Sequence, residues 1–282
     1  MSIRNNSDRL GANDQTEKKT APAALSPLNF VAPTEFVSLP SRGQGYPESH
    51  PLYGKDVIEI RYMTAKEEDI LTSQTLLKKG IAVDRFMQNI ICDSTISIED
   101  LLIGDKNAIL IAARSSGYGS DYETQVRCPN CGNKQETSFD LSNPTIIESK
   151  YDEEFGIEKT ESGTFIIKMP FSGFKAEVKL LTGKDEKYVL QLNKNKSKGA
   201  VVETNMTDQY KRMIVSIEGI TDKSTINHYV DNMPLRDARH LKLAYKMVSP
   251  DIKIHNEFQC TSCGHEETLE VPFGADFLWP DR

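Results

Sequence analysis

The chain has 282 residues, a hydrophobic fraction of 38% and a formal net charge of −7, which allows one large core or two ordinary domains. The acidic balance disfavours nucleic acid as a partner, because neutralising phosphates requires clustered lysine and arginine. Apolar runs stay below the roughly 18 residues that span a membrane, and the N-terminus lacks the apolar stretch of a signal peptide. We therefore expect a soluble, cytosolic protein without membrane contact.

Residues 1–34 are predicted to form a flexible N-terminal arm. They are rich in Asn, Ser, Thr, Lys, Ala and Pro, with few large apolar groups before Leu28 and Phe30. Such a composition cannot offset the conformational entropy lost on folding. The arm is either simply disordered or becomes ordered against a partner.

The first half of the chain predicts one strand followed by three helices. The strand covers 57–63 and leads into Thr64-Ala65-Lys66-Glu67, a capping-box pattern that satisfies free amides at a helix start. We expect the first helix to run to residue 79 and to end at Gly80. The next two helices are predicted at 83–92 and 105–116.

The second half predicts the same order. A strand at 176–181 leads into Thr182-Gly183-Lys184-Asp185 and a helix to about residue 193. The polar segment 194–205, which carries the basic cluster at 194–198, is predicted to be a solvated loop. Further helices are expected at 208–217, 224–229 and 235–248.

Two Cys-x-x-Cys-Gly units contain four of the five cysteines. They are Cys128-Pro129-Asn130-Cys131-Gly132 and Cys260-Thr261-Ser262-Cys263-Gly264. Each is flanked by short strand-like segments, so each is predicted to be a hairpin that presents two thiolates at its tip. Such a tip supplies half of a tetrahedral zinc site.

The halves are related by a simple offset. Cys128 and Cys260 are 132 residues apart, and the same offset pairs Asp105 with Asp237. The two capping threonines, Thr64 and Thr182, are 118 residues apart, and an insertion near 194–205 would explain most of the difference. The predicted fold class is therefore α+β, with a pseudo-duplicated core in which each half has a strand and helices followed by a cysteine hairpin. The first repeat is placed at 35–145 and the second, with an aromatic tail, at 146–282.

The four paired cysteines predict one structural zinc per chain, held by Cys128, Cys131, Cys260 and Cys263, because neither hairpin has a convincing second ligand pair nearby. The competing interpretation is thiol-disulfide chemistry, which usually places the motif at a helix N-terminus after a strand. A hairpin context favours the metal. The fifth cysteine, Cys92, lies in an apolar stretch and is predicted to be a small buried hydrophobe.

No nucleotide-binding, hydrolase or metalloprotease motif is present, and four thiolates leave zinc no open position for a substrate. The sequence thus predicts a non-enzymatic protein with no small-molecule substrate. A zinc-ribbon nucleic-acid-binding protein is the alternative function, although the residues around the cysteines lean acidic. The tail, with Phe273, Phe277, Leu278 and Trp279, is expected to pack into the core or to anchor in a partner.

An ordered set of segments resembles the T4-type baseplate protein family of tailed bacteriophages, whose members are baseplate hub subunits or hub assembly proteins. The segments are Leu39-Pro40-Ser41-Arg42-Gly43-Gln44-Gly45-Tyr46-Pro47, the strand and capping box within 57–71, Gly104-Asp105-Lys106-Asn107-Ala108 and the first cysteine unit. The similarity covers about residues 36–280; the long arm and the insertion depart from it.

This resemblance implies a phage tail protein that acts through contacts with other tail and baseplate proteins. Its expected location is the host cytoplasm during assembly or the baseplate of the finished virion. Self-association is compatible with the sequence.

Overall fold

The computed structural model describes residues 31–152, 155–196, 205–271 and 275–279. The predicted arm, 1–34, lies almost entirely outside these residues, as do the side chains of the basic cluster at 194–198. The described residues from 32 onward belong to one compact unit.

The described part of the chain combines helices and strands, which confirms the α+β class. The helices are α1 (Ala65–Thr72), α2 (Gln74–Lys79), α3 (Ala82–Ile90), α4 (Ile103–Tyr118), α5 (Gly183–Lys196), α6 (Asn205–Met213), α7 (Lys223–Asp231) and α8 (Leu235–Val248). The strands are β1 (Thr34–Ser38), β2 (Val57–Arg61), β3 (Asp121–Arg127), β4 (Lys134–Asp140), β5 (Thr145–Ile147), β6 (Ile157–Lys159), β7 (Phe165–Lys168), β8 (Lys175–Val178), β9 (Ile214–Ile217), β10 (Asp251–Lys253), β11 (His255–Gln259) and β12 (Glu266–Glu270). Short 3-10 helices lie at Ile98–Asp100 and Ala275–Leu278.

The strands form small antiparallel sheets. The largest among the described residues has the order β6-β7-β8-β9, and the others are the pairs β1-β2, β3-β4, β5-β10 and β11-β12. The β5-β10 pair joins residues just after the first cysteine unit to residues just before the second. It therefore links the two halves of the sequence.

Both predicted helix caps are present. The Thr64 amide and hydroxyl donate to the Glu67 carboxylate at the start of α1, and the Thr182 amide donates to Asp185 over 3.1 Å at the start of α5. Burial alone would raise the pKa of Asp185, but hydrogen bonds from Lys179 and from the Thr182 amide outweigh burial and lower it. These carboxylates satisfy amides that a helix start leaves free.

Two predicted helix boundaries are wrong. The helix expected to run to residue 79 is interrupted at Ser73, whose extended backbone separates α1 from α2. The helix expected to end at residue 217 ends at Met213, because Ile214–Ile217 form β9 and pair with β8. β-branched residues favour a strand when an adjacent sheet edge is available, and hydrophobic spacing over four residues does not reveal that edge.

Two helices position the cysteine hairpins. The central helix α4 has buried residues around most of its circumference and is followed directly by β3, whereas α8 buries one face, formed by Asp237, Leu241, Ala244 and Val248, and leads through β10 into β11. The start of α4 lies against the end of α8: a Cβ added at Gly104 would be 2.1 Å from the Pro250 carbonyl oxygen. Glycine is therefore required at this contact.

The aromatic tail packs into the core. Phe277 and Leu278 are buried, and the Phe277 ring meets the Tyr122 ring edge-on with centroids 5.2 Å apart. The Trp279 indole donates a hydrogen bond to the Leu71 carbonyl over 3.0 Å. Of the two expectations for the tail, core packing applies to these three residues.

Candidate metal centre

Each cysteine unit forms the loop of an antiparallel hairpin. The last paired residues are Arg127 and Lys134 in the first hairpin, and Gln259 and Glu266 in the second. Six residues therefore connect the strands in each hairpin, 128–133 and 260–265. This is the placement that the spacing of the cysteines predicts.

The two loops share one hydrogen-bond pattern. In the first, the Cys128 amide donates to the Asn133 carbonyl over 2.8 Å and the Gly132 amide donates to the Cys128 carbonyl over 2.9 Å. In the second, Cys260 donates to His265 and Gly264 donates to Cys260 over the same two distances. Both glycines have positive φ, 74° and 68°, a conformation that side chains with a Cβ rarely adopt.

The loops bring the four cysteine sulfurs together. Cys128 Sγ lies 3.8 Å from Cys263 Sγ, and Cys131 Sγ lies 3.7 Å from Cys260 Sγ. All four sulfurs lie within 4.8 Å of one another. Sulfurs bound at 2.3 Å to one tetrahedral zinc would be about 3.8 Å apart, so this cluster is compatible with a zinc site. The spacing is too long for disulfide bonds.

The electrostatics of the loops favour thiolate at Cys263. The His265 amide and the Asn130 side chain donate toward its sulfur and lower the pKa of Cys263 to about 6. The Asn133 amide acts in the same direction at Cys131, but the neighbouring sulfurs, Cys263 first, raise the pKa of Cys131 to about 12. A bound divalent cation would favour the thiolate form of its sulfur ligands.

Side chains outside the cluster tie the hairpins together. Gln135 Nε2 donates to the Gln259 carbonyl over 2.9 Å, and Gln135 Oε1 accepts from the Thr261 amide over 2.9 Å. Sequence reasoning missed Gln135, since a lone glutamine on a polar strand carries no distinguishing signal. Cys128 and Cys260 are buried, whereas Cys131 and Cys263 are exposed.

Other candidate residues do not join the cluster. The His265 ring pairs with Glu267 at 3.2 Å, and only its backbone serves the loop. Cys92 is exposed, so the prediction that it is buried is wrong. Its amide donates to the Glu59 carbonyl beside β2, and in an extended chain the side chain next to the buried Ile91 points to the opposite face.

Comparison with known protein families shows the family to which the chain belongs. A family model described as T4 bacteriophage base plate protein matches residues 33–279. The chain belongs to this family. No curated protein and no solved structure gives a significant match. Membership in the base plate family indicates a structural component of the phage tail whose partners are other baseplate and tail proteins.

The matched segment contains both cysteine hairpins, the core helices and the tail residue Phe277, which packs against Tyr122. None of the helices in the described ranges has the length and apolar content needed to cross a bilayer.

Proposed function

We propose that the chain is a non-enzymatic hub component or hub assembly factor of the phage baseplate. It acts through protein contacts while the tail is assembled in the host cytoplasm. Family membership over residues 33–279 supports this proposal. The single observation that carries the mechanism is the cluster of four sulfurs contributed by two distant hairpins.

We further propose that Cys128, Cys131, Cys260 and Cys263 hold one structural zinc. Zinc would supply four strong bonds that replace the weak contacts between two polar hairpins. With all four positions taken by sulfur, such an ion keeps no site for water or substrate. Its role is then to fix the two hairpins, and through them the surfaces that partners contact, in one arrangement.

The proposal includes an internal duplication, which a second pair of corresponding residues supports. Asp105 and Asp237, at the same position in α4 and α8, are both fully buried. Asp105 accepts from the amide of Ser41 over 3.0 Å, in the loop that follows β1. Asp237 accepts from the amides of Phe171 and Ser172 over 2.7 and 3.0 Å, in the loop that follows β7. In both halves, a buried aspartate at a helix start holds the loop after a strand.

Nucleic-acid binding through the hairpins is the weaker alternative. Strands β11 and β12 carry Glu257, Glu266, Glu267 and Glu270, which repel phosphate. Binding to DNA at low salt with a steep loss of affinity as salt is added would favour this alternative.

The zinc proposal is tested by metal analysis of the full chain purified without chelator. We expect close to one zinc per chain, and loss of zinc in a Cys131→Ser variant. Cys92→Ser is the matched control, because Cys92 is an exposed thiol outside the cluster. Two zinc ions per chain would contradict a shared site. The absence of zinc would contradict the proposal that the cysteines bind a metal.

The baseplate role is tested in a phage whose copy of this gene carries a nonsense codon. We expect electron microscopy to show tails without complete baseplates, and the wild-type chain supplied in trans to restore them. The Cys92→Ser variant should restore them equally well. Complete baseplates in the absence of the chain would refute the role, whatever the outcome of the metal analysis.

A further inference from the structure

The two halves of the chain are joined by a backbone contact, which we name the intrachain joint. The Ile103 amide donates to the Leu181 carbonyl over 3.2 Å, and the Gly183 amide donates to the Leu101 carbonyl over 2.8 Å. Between them, Leu102 and Thr182 form an isolated antiparallel bridge. The start of α4 in the first half thus pairs with the strand-to-helix corner before α5 in the second half.

The residues equivalent to this joint lie at the starts of two other helices, α8 and α1. With the offset of 132, the start of α4 corresponds to Met233–Leu235 at the start of α8. With the offset of 118, the corner before α5 corresponds to Met63–Ala65 before α1. Ile103 is partly buried in the joint, whereas its equivalent, Leu235, is 76% exposed. Ala65 is exposed as well.

The equivalent hydrogen-bonding groups are open at both ends. Ala65 and Leu235 are the first residues of α1 and α8, and the first amides of a helix have no partner within it. Within the described ranges, the amides of Ala65 and Leu235 and the carbonyls of Met63 and Met233 have no backbone hydrogen-bond partner. The complementary donors and acceptors of a second joint are therefore present.

Exposed charges of opposite sign lie at the start of α1 and at the start of α8. In the intrachain joint, Lys106 on α4 forms an ion pair with Glu186 on α5 at 2.9 Å. The residue equivalent to Glu186 is Glu68 on α1, which is exposed. Ala238 holds the position equivalent to Lys106, and the exposed cations beside it are Arg236 and Arg239 on the first turns of α8. In the part of the chain that the structure describes, Glu68 and these two arginines have no ion-pair partner.

An apolar surface extends the α8 end. Phe171 is 66% exposed and Phe174 is 43% exposed, and both lie in the loop that Asp237 holds beside the start of α8. Together with Leu235 they form an apolar patch of a kind that marks interaction sites. The patch would be covered when the start of α8 docks against another surface.

We propose that the chain self-associates head to tail: Met233–Leu235 of one copy docks on Met63–Ala65 of the next and repeats the intrachain joint. The inference rests on the proposed duplication and is independent of zinc. Because the two docking surfaces differ, the contact is heterologous and builds a closed ring or an open chain of copies.

One difference predicts that the new joint is weaker than its template. Ala65 occupies the position of Gly183, where an added Cβ would lie 2.8 Å from the Ile98 carbonyl oxygen. The intermolecular joint must open slightly to admit the Ala65 methyl group. Association is therefore reversible, and Ala65→Gly should strengthen it.

The test measures the mass of the full zinc-loaded chain by analytical ultracentrifugation as concentration rises. We expect species larger than the monomer, and a Leu235→Asp variant that associates about 10- to 100-fold more weakly, as the loss of one buried leucine side chain implies. Ala65→Arg should weaken association similarly, since it places a cation opposite Arg236 and Arg239. Unchanged zinc content and circular dichroism would show that both exposed variants fold.

Mixing the two variants separates this joint from a symmetric dimer. Leu235→Asp retains an intact corner, and Ala65→Arg retains an intact α8 start, so the mixture should form one-to-one heterodimers at concentrations where each variant alone is mostly monomeric. A wild-type chain that stays monomeric at every concentration would overturn the proposal. Association that neither variant weakens, or a mixture without heterodimers, would also overturn it. The phage complementation test of the baseplate role is unaffected by either result.

Discussion

Removing the buried carboxylate of Asp105 should destabilise the first half of the core. Asp105 is fully buried and accepts three hydrogen bonds, from the Ser41 amide, the Ser41 hydroxyl at 2.6 Å and the Tyr46 hydroxyl at 2.8 Å. Each donor left without a partner costs about 1–3 kcal/mol. Burial raises the pKa of Asp105, and the hydrogen bonds only partly oppose this effect. Removing the buried charge therefore recovers part of the free energy lost with the hydrogen bonds. We expect Asp105→Ala to lower the free energy of unfolding by about 3–5 kcal/mol.

The second half offers a matched substitution. Asp237→Ala leaves two amides without an acceptor, those of Phe171 and Ser172, and should cost about 2–4 kcal/mol. Asp69→Ala is the control, because Asp69 is exposed and such surface changes stay within about 0.5 kcal/mol.

Urea unfolding measures these differences, followed by the fluorescence of the single tryptophan, Trp279, and by circular dichroism. Because Trp279 belongs to the second half but hydrogen-bonds to Leu71 in the first, its signal reports whether the halves separate. A cost below about 1 kcal/mol for Asp105→Ala would refute the reasoning on buried donors. A large cost for Asp105→Ala with none for Asp237→Ala would contradict equivalent roles in two repeats.

Three further predictions follow from single contacts. Gly104→Ala should destabilise the chain by about 1–3 kcal/mol, because the Pro250 carbonyl must move to admit a methyl group; thermal unfolding measures this. Phe277→Ala should cost about 3–5 kcal/mol through the cavity left beside Tyr122, seen as a lower urea midpoint. Folding lowers the pKa of Asp185. The ionised carboxylate therefore contributes its full share to the free energy of unfolding above the unfolded pKa of about 3.9, and this share is lost as the pH falls through the lower folded pKa. Asp185→Asn should make the stability less dependent on pH in the acid range, as measured by urea unfolding at several pH values.

Each of these has a control in the chain. Gly117→Ala places a methyl group against the Met63 side chain alone, which can move, so it should cost less than Gly104→Ala. Equal costs would argue against a rigid contact at Pro250. A Phe277→Ala variant of unchanged stability would show that the tail is not part of the core. An unchanged pH dependence in the acid range for Asp185→Asn would assign the acid sensitivity to other carboxylates.

Features encoded within a few residues could be predicted from the sequence. Both capping boxes, the end of α2 at Gly80 and the bounds of α8 follow from local side-chain chemistry. The hairpin placement of the cysteines and the proximity of all four sulfurs could also be predicted. Each hairpin tip offers only two of the four ligands that a structural zinc needs, so the two tips are expected to meet. Family resemblance was likewise readable from an ordered set of short segments.

Features that depend on distant partners could not be predicted in this way. β5 and β10 are three residues each, and each exists as a strand because the other pairs with it. β9 reads as the end of a helix until β8 is placed beside it. The burial of Asp105 and Asp237 was equally hidden: the sequence aligns them, but the loops that donate to them lie more than 60 residues away.

The two pairs of cysteines in the sulfur cluster are synthesised at different times. Cys131 and Cys260 are 129 residues apart, an interval of roughly 6 to 26 s at ribosomal rates of about 5–20 residues per second. Throughout that interval the first hairpin holds an incomplete ligand set. Full coordination of one ion becomes available only after the second hairpin has been made, so a filled site would mark a chain synthesised at least as far as Cys263.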